Sequence, residues 1–438
     1  MGNVVAAETI ADDRPNVIMI LADDLGSVDL NCYGAEDLAT PHLDQLAADG
    51  VRFTQFYAAA PVCSPSRASF ITGLYPQRAG VPGNVSSQPG GIGMPAATKT
   101  VAERFAANGY VTGHVGKWHL GYTPPTMPNG QGFVSSFGHM GGCIDNYSHF
   151  FYWSGPNRHD LWQNGREVFH DGQYFPDLMA ERVNQFVDAN RDQPFFLYWA
   201  LNTPHYPLQG TERWRQHYAD LPAPRRMYAA FVSTTDEIVG RVLQYLQKQG
   251  LAENTIVVFQ SDHGHSQEER TFGGGGSAGP YRGAKFSLFE GGIRVPAMVS
   301  WPKKIPAGEI RHQMATGCDW VPTLLSLTQQ EYSAEDFDGK DLSGLILNND
   351  DSPHEVFHWQ SGGSRKAPQW AVRKGRWKLI GNPKDTSGKA PVTAADQRFL
   401  VDLTDSVHEL RNQASLHPDI VAELEKLHDQ WINDVQNP

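Results

Sequence analysis

Apolar residues along the chain fall into short runs that stop abruptly at charged or imidazole side chains. NVIMILADD, from Asn16 to Asp24, is continuously apolar up to its last two residues, which predicts a strand buried on both faces. YVTGHVGKWHLG follows a helix-like segment, Val101 to Asn108, that is broken at Gly109. PFFLYWALNTPHYP predicts a third strand ending near His205, and NTIVVFQSDHGH a fourth ending at Asp262, His263 and His265. Helical patterns lie between them. Thr40 to Asp49 offers Thr40 as N-cap and Pro41 at the first helical position. Asp177 to Asn190 and Tyr228 to Gln249 are amphipathic. Strand alternating with helix predicts an α/β fold, with a large, mainly parallel mixed sheet sandwiched by helices. Ligands of such sheets bind outside the carboxyl ends of the strands. All four runs carry their polar residues at that end, which predicts one shared site.

From about Pro353 the pattern changes to HEVFHWQSG, QWAVRKGRWKLIGN and QRFLVDLT, with a turn at Arg373–Arg376. These runs predict a smaller antiparallel sheet. A closing helix from Pro418 to about Val435 places Leu424, Leu427 and Trp431 on one stripe, expected to be core. The expected division is a catalytic α/β domain over 1–350 and a C-terminal antiparallel subdomain with a terminal helix over 351–438.

The chain of 438 residues is 40% hydrophobic and 19% charged, enough for a sizeable core. Its net charge of −12, with no long basic run, argues against nucleic-acid binding. An anionic substrate then needs local cations or a metal. Cys32, Cys63, Cys143 and Cys318 show neither metal-ligand spacing nor a dense disulfide framework. No apolar run approaches the roughly 18 residues of a membrane span, and no feature of the pattern specifies an oligomer. The start, MGNVVAAETIADDRP, lacks a charged and then apolar leader; it reads as a mature or trimmed terminus, which predicts a periplasmic or secreted protein with its signal peptide removed.

Two constellations carry chemistry. Asp23 and Asp24 are adjacent carboxylates at the end of a buried strand, where they repel each other unless a cation joins them. Asp262-His263 ends another strand. Three carboxylates and an imidazole suit a hard divalent ion, Ca²⁺ or Mg²⁺; the alternative for Asp23-Asp24 is a helix N-cap in a strand-to-helix loop. The second constellation is PVCSPSRASFITGLYP, Pro61 to Pro76. Ser64 fits an N-cap and Pro65 the first helical position, which would put Cys63 just before a helix N-terminus, where anions are favoured. Arg67 in the first turn can point its fork at the same place. The alternatives are a buried structural cysteine and a thiolate nucleophile with a histidine base.

Four further segments are candidates. His265 lies one step past Asp262-His263 and is expected to support the metal site or touch substrate. GGGGSAG, Gly273 to Gly279, lacks the strand-to-helix setting of a phosphate loop and is expected to rim the pocket. GGCIDNYSHFFYW, Gly141 to Trp153, combines aromatic and polar residues; it suits a sugar-binding wall, with Asp145, Asn146 and His149 as contacts, or a packed loop. PHYP with Trp214–His217 is a weaker candidate of the same kind.

CSPSR followed by ASFITG fits C-x-P-S-R-x-x-x-x-x-G, and the chain resembles the formylglycine-dependent sulfatases of the alkaline phosphatase superfamily, particularly bacterial polysaccharide sulfatases. RPNVIMILADDLG, GKWHLG, NTPHYP, SDHGH and RGAKFSLFEGGIRVPAMVSWP follow in the family's order, so the likeness runs from Arg14 to about Leu325. FLVDLTDSVHELRNQ is similar to a C-terminal D-L-x-x-D-P-x-E-x-x-N segment, with Ser406-Val407 replacing the D-P pair. The resemblance implies that a maturation enzyme oxidises Cys63 to formylglycine (3-oxoalanine), whose hydrate attacks sulfur. It implies that Asp23, Asp24, Asp262, His263 and an oxygen at position 63 bind a metal, Ca²⁺ before Mg²⁺; many relatives have asparagine where His263 stands. Arg67 and Lys117 would orient the nucleophile and neutralise charge. His119 would take the proton that lets the sulfated intermediate collapse. His205 and Lys285 would contact the sulfate and serve the leaving oxygen. The implied activity is hydrolysis of sulfate esters on a sulfated carbohydrate, exo-acting on oligosaccharides such as those from carrageenan or glycosaminoglycan. The alternatives are a phosphoester or phosphonate monoester hydrolase, a broad arylsulfatase, or a sulfoglycan-binding protein with Cys63 unmodified.

Overall fold

The expected strands form the centre of a ten-stranded mixed sheet in the computed structural model, which describes residues 13–362 and 367–436. The stretch read as a trimmed terminus lies, through Asp12, outside the described residues. The strands are β1 (Asn16–Ala22), β2 (Val51–Phe53), β3 (Val111–Lys117), β4 (Ser135–His139), β5 (Trp162–Gln163), β6 (Arg166–Glu167), β7 (Phe195–Ala200), β8 (Thr255–Ser261), β9 (Ala297–Ser300) and β10 (Glu309–Arg311). Their spatial order is β10-β2-β9-β8-β1-β7-β3-β4-β5-β6. From β8 to β4 all neighbours are parallel; antiparallel pairs lie towards both edges.

Strand β1 is buried at every residue because both faces are covered. Val17, Met19 and Leu21 enter one apolar cluster, and Ile18, Ile20 and Ala22 enter the other. The first cluster lies under α2 (Cys63–Thr72), α3 (Val101–Ala107) and α6 (Trp320–Leu327). The second lies under α1 (Pro41–Ala48), α4 (Phe175–Asn190) and α5 (Arg225–Lys248). The sheet is therefore sandwiched by helices, as the continuous apolar runs predict.

Two expected caps are not made. Thr40 stands at the N-cap of α1, with Pro41 after it, but its hydroxyl bonds Asn31 and Asp44. The open N–H groups of His42 and Leu43 donate instead to Asp236, at 3.1 and 2.7 Å. At α2 the helix already includes Cys63, because Ser66 N–H reaches the Val62 carbonyl at 3.3 Å. Val62 is thus the cap residue, Pro65 falls third in the first turn, and Ser64 Oγ accepts from Val85 N–H at 3.2 Å.

The tail forms a separate four-stranded antiparallel sheet in sequence order: β11 (Val356–Ser361), β12 (Gln369–Lys374), β13 (Trp377–Gly381) and β14 (Arg398–Asp402). Helix α7 (Pro418–Gln436) covers it through Leu424, His428, Trp431 and Val435. Leu427 is only partly buried; the position in the stripe goes to His428, whose ring stacks on Trp370 at 4.1 Å. One core joins this sheet to the rest of the chain: Tyr57, Tyr75, Leu288 and Phe289 pack with Phe357, Trp359, Ile380 and Phe399.

A buried charge lock reinforces that joint. Lys378, fully buried in β13, donates to Glu290 at 2.8 Å and Glu409 at 3.1 Å. Glu290 also accepts from Tyr57 at 2.6 Å and pairs with Arg294 at 3.2 Å. Burial pushes the Glu290 carboxyl up, but Lys378 and then Arg294 outweigh it and hold it at about 2. Burial leads at Glu409 and raises it to about 7. Glu409 is the glutamate of the C-terminal segment quoted above, so its place is mechanical. Removing the ammonium would leave Glu409 without a cation in the interior and Glu290 with Arg294 alone, so Lys378→Met should lower stability by about 3–5 kcal/mol. Chemical denaturation measures this; a loss under about 1 kcal/mol would mean the lock contributes little.

Candidate active site

Four strand ends and one helix start converge. Strand β1 runs into Asp23 and Asp24, β8 into Asp262 and His263, β3 ends in Lys117, and the segment after β7 carries His205. The backbone ladder continues past the strands: Asp23 N–H donates to Thr203 O at 3.0 Å and Asp262 N–H to Ala22 O at 2.9 Å. Asp24 then turns away in the left-handed region, φ 62°, with its N–H on Asp262 Oδ1 at 3.1 Å.

The carboxylates are buried and each meets a cation. Lys117 Nζ donates to both Asp23 oxygens, at 3.0 and 2.7 Å. Arg67 Nη2 lies 3.2 Å from both Asp23 and Asp262. Lys285 Nζ donates to both Asp24 oxygens, at 2.8 and 3.0 Å. Burial alone would raise Asp23, yet Lys117, His205 and Arg67 hold it well below the usual carboxylate range. At Asp262 burial wins and pushes the carboxyl up to about 7.

Cys63 Sγ sits among these groups, 3.4 Å from His263 Nε2. Burial would raise its thiol, but Lys117, Lys285 and His263 bring it well below the ordinary value. The ring orientations are set by backbone carbonyls, which only accept. His263 Nδ1 donates to Gly264 O at 2.9 Å, and His205 Nδ1 to Tyr206 O at 2.8 Å. Each Nε2 therefore faces the carboxylates: that of His263 is 3.5 Å from Asp24 and 3.6 Å from Asp262, that of His205 3.8 Å from Asp24. Burial lowers His205 to about 4, whereas at His263 burial is outweighed by Asp262 and Cys63, which raise it to about 9. His119, with φ 53°, lies against Cys63, and burial lowers its pKa.

Donor atoms of Asp23, Asp24, Cys63 and His205 lie within 4.8 Å of one another, as do those of Cys63, Asp262 and His263. Carboxylate oxygens with an imidazole whose Nε2 is turned inward match a hard divalent cation. The residues expected to bind metal are thus brought together, with His205 beside them.

A cavity of about 290 Å³ opens above this cluster, lined in part by Cys63, His119, His205 and Lys285. Phe151 and Trp153 of the 141–153 segment line it too. Asp145, Asn146 and His149 do not. Asp145 accepts from Ser148 N–H at 2.8 Å and Gln209 Nε2 at 2.7 Å; Asn146 bonds Gln209 and Asn202; His149 Nε2 bonds Gln173 O at 3.0 Å. These residues build the loop that presents the aromatic rings. His265 is also off the cavity, but its carbonyl accepts Lys285 N–H at 2.9 Å and so places that lysine. The glycine run does not border the cavity. Ser277 N–H bonds Asp29 at 2.6 Å, and a side chain at Gly276 would meet His265 Cβ at 2.3 Å. Trp214 is buried, its indole N–H on Glu237 at 2.6 Å. Sequence reasoning missed Arg270, whose guanidinium lies 3.2 Å over the Trp153 ring at the cavity wall. Its neighbours form no motif, so only the fold reveals it.

The chain is similar to known proteins over most of its length. The sulfatase family model matches residues 15–330, and a model described as N-sulphoglucosamine sulphohydrolase, C-terminal, matches 283–431. Human arylsulfatase A is 35% identical over 390 residues, covering 83% of this chain and 74% of that protein. Mouse arylsulfatase J is 34% identical over 402 residues, covering 86% of this chain and 66% of that protein. The solved structure of Ps i-CgsB in complex with k-i-k-neocarrahexaose superposes with a TM-score of 0.84 at 29% identity, covering 95% of this chain and 92% of that one.

The donor set makes a prediction independent of turnover. Ca²⁺ at about 100 times its Kd should add about 2.7 kcal/mol of stability, and a strong chelator should remove it. Asp24→Asn should blunt this effect. A melting temperature unmoved by Ca²⁺, Mg²⁺ or chelator would count against the metal site.

Proposed function

The chain belongs to the sulfatase family of sulfuric ester hydrolases, and on that premise we propose that it hydrolyses sulfate esters of a sulfated carbohydrate at Cys63. The observation that carries this reading is the placement of Cys63 in the first turn of α2, 3.4 Å from His263 Nε2 on a cavity wall shared with His119, His205 and Lys285. A formylglycine made from Cys63 by a maturation enzyme, with Ca²⁺ (Mg²⁺ as second fit) held by Asp23, Asp24, Asp262 and His263, supplies a hydrated aldehyde nucleophile and a positive centre for the sulfate oxygens.

The remaining roles fall to this chain's own side chains. Arg67 and Lys117 are held rigid by Asp23 and Asp262, so their charge is preorganised for an anion and needs no reorganisation during reaction. Lys285 and His205 reach the cavity from different loops; they contact the sulfate and serve the leaving oxygen, which needs a proton because an alkoxide leaves poorly. His119, against Cys63, takes up the proton released at that position during turnover.

The substrate class rests on the aromatic wall. Phe151 and Trp153 give a sugar ring an apolar face, and Ser86, Ser87 and Gln88 give it polar contacts. Among the relatives is an N-acetylgalactosamine-6-sulfatase from dog, and the Ps i-CgsB structure holds a neocarrahexaose. A cavity of about 290 Å³ suits one terminal sulfated sugar, hence exo-action on a carrageenan or glycosaminoglycan oligosaccharide. We assign catalysis to 1–350, take 351–438 as its subdomain, and place the protein in the periplasm or outside the cell. No helix among the described residues is long and apolar enough to cross a membrane.

Cys63→Ala should reduce turnover of a sulfated oligosaccharide by at least about 10³-fold with an unchanged circular dichroism spectrum. Activity within tenfold of the parent would place the nucleophile elsewhere. Mass spectrometry of the Cys63 peptide, after expression with the maturation enzyme, should find the aldehyde; free thiol alone would overturn the mechanism. An aryl phosphate turned over faster than an aryl sulfate would reassign the reaction.

A further inference from the structure

A second cleft, of about 490 Å³, adjoins the catalytic cavity and shares Asn84 and Phe286 with it. Its far wall comes from the small sheet: Gln369 in β12, Asn382 just after β13, and Lys384 in the loop beyond. Phe286 separates the two spaces. Lys285 Nζ lies 5.6 Å from its ring centroid and Lys384 Nζ 5.5 Å. The two ammoniums are therefore no farther apart than about twice that distance.

This arrangement is built, not incidental. Phe286 is held in the left-handed region, φ 71°, with its N–H on Pro61 O at 2.8 Å and its carbonyl on Gln369 Nε2 at 3.0 Å. The same Gln369 accepts through Oε1 from Leu288 N–H at 3.0 Å and Lys384 N–H at 3.3 Å. One side chain, 9% exposed, thus fixes both the aromatic partition and the backbone that carries Lys384. Lys384 is exposed, and among the described residues it forms no ion pair. In a chain of net charge −12, a cation without a carboxylate, poised over an aromatic ring at a cleft, is placed to meet an anion from outside.

We propose that this cleft is a subsite for the sugar unit next to the sulfate-bearing one, and that Lys384 binds an anionic substituent on it. The ring of Phe286 offers an apolar face to the sugar, and Asn84 and Asn382 border the cleft as polar groups. The substrate class is then a glycan charged on successive units. This rests on the sulfatase reading of the first cavity. The anion is a sulfate or a carboxylate, which the substrates below separate.

The test compares Lys384→Ala and Lys384→Arg with the parent on three substrates: 4-nitrophenyl sulfate, a carrageenan tetrasaccharide with sulfated neighbours, and a chondroitin sulfate tetrasaccharide with carboxylated ones. Lys384→Ala should raise KM about tenfold for one tetrasaccharide, the cost of one lost exposed-to-partly-buried charge contact. Its kcat should hold, 4-nitrophenyl sulfate should be unaffected, and Lys384→Arg should restore most of the loss. The tetrasaccharide affected identifies the anion. An equal effect on 4-nitrophenyl sulfate, or none on either tetrasaccharide, overturns the subsite. If the parent cleaves none of the three, the sulfatase reading fails, and calorimetric titration of both tetrasaccharides into Cys63→Ala, with and without Lys384→Ala, decides the subsite separately. Affinity lost with Lys384 supports it; unchanged affinity, or no binding, overturns it.

Discussion

Three carboxylates stand buried at the ends of two adjacent strands, and the cost of leaving them unpaired organises what surrounds them. Asp23, Asp24 and Asp262 are matched by Arg67, Lys117 and Lys285, each within 3.2 Å of a carboxylate oxygen. A charge in the interior must be paired or it neutralises. Each cation arrives on a different element: Arg67 on α2, Lys117 at the end of β3, Lys285 on the segment between β8 and β9. Meeting the electrostatic demand of the carboxylates therefore also assembles the cavity. On the proposed reading, the same groups that hold the fold together at this point also offset the negative charge of a sulfate ester.

The small sheet extends this logic. Its core is continuous with residues just beyond Lys285, and Lys378 bridges Glu290 to Glu409 at the joint. Gln369 then couples Phe286 to the loop of Lys384. The C-terminal residues are thus connected, through Gln369, to Phe286 on the wall of the cavity, and the subsite proposed above rests on that connection.

Most of the fold was legible in the chain because a strand covered on both faces must be apolar throughout, as in Asn16–Ala22 and Phe195–Ala200. The cap at α1 was not. Thr40 occupies the expected position, but the N–H groups go to Asp236, nearly two hundred residues away, because a carboxylate is the stronger acceptor. His428 entered the core stripe in place of Leu427 because Trp370 offers its ring a stacking partner. Asp145, Asn146 and His149 looked like sugar contacts, yet each satisfies the loop's own backbone or the neighbouring amides. Polar composition alone does not separate a group that faces a ligand from one that braces the segment.

By itself the sequence determined the strand core, the order of the chemical stations and the chemistry they can perform, because apolar periodicity and charge at strand ends are local properties. Tertiary structure decided which polar groups face the cavity. It turned Arg270 onto Trp153, set the inward Nε2 of His263 and His205 through neighbouring carbonyls, and brought Lys384 to the ring of Phe286. Those pairings join residues whose separation along the chain carries no periodic signal. They exist only once burial has fixed which side chains must find a partner and which are left to face a substrate.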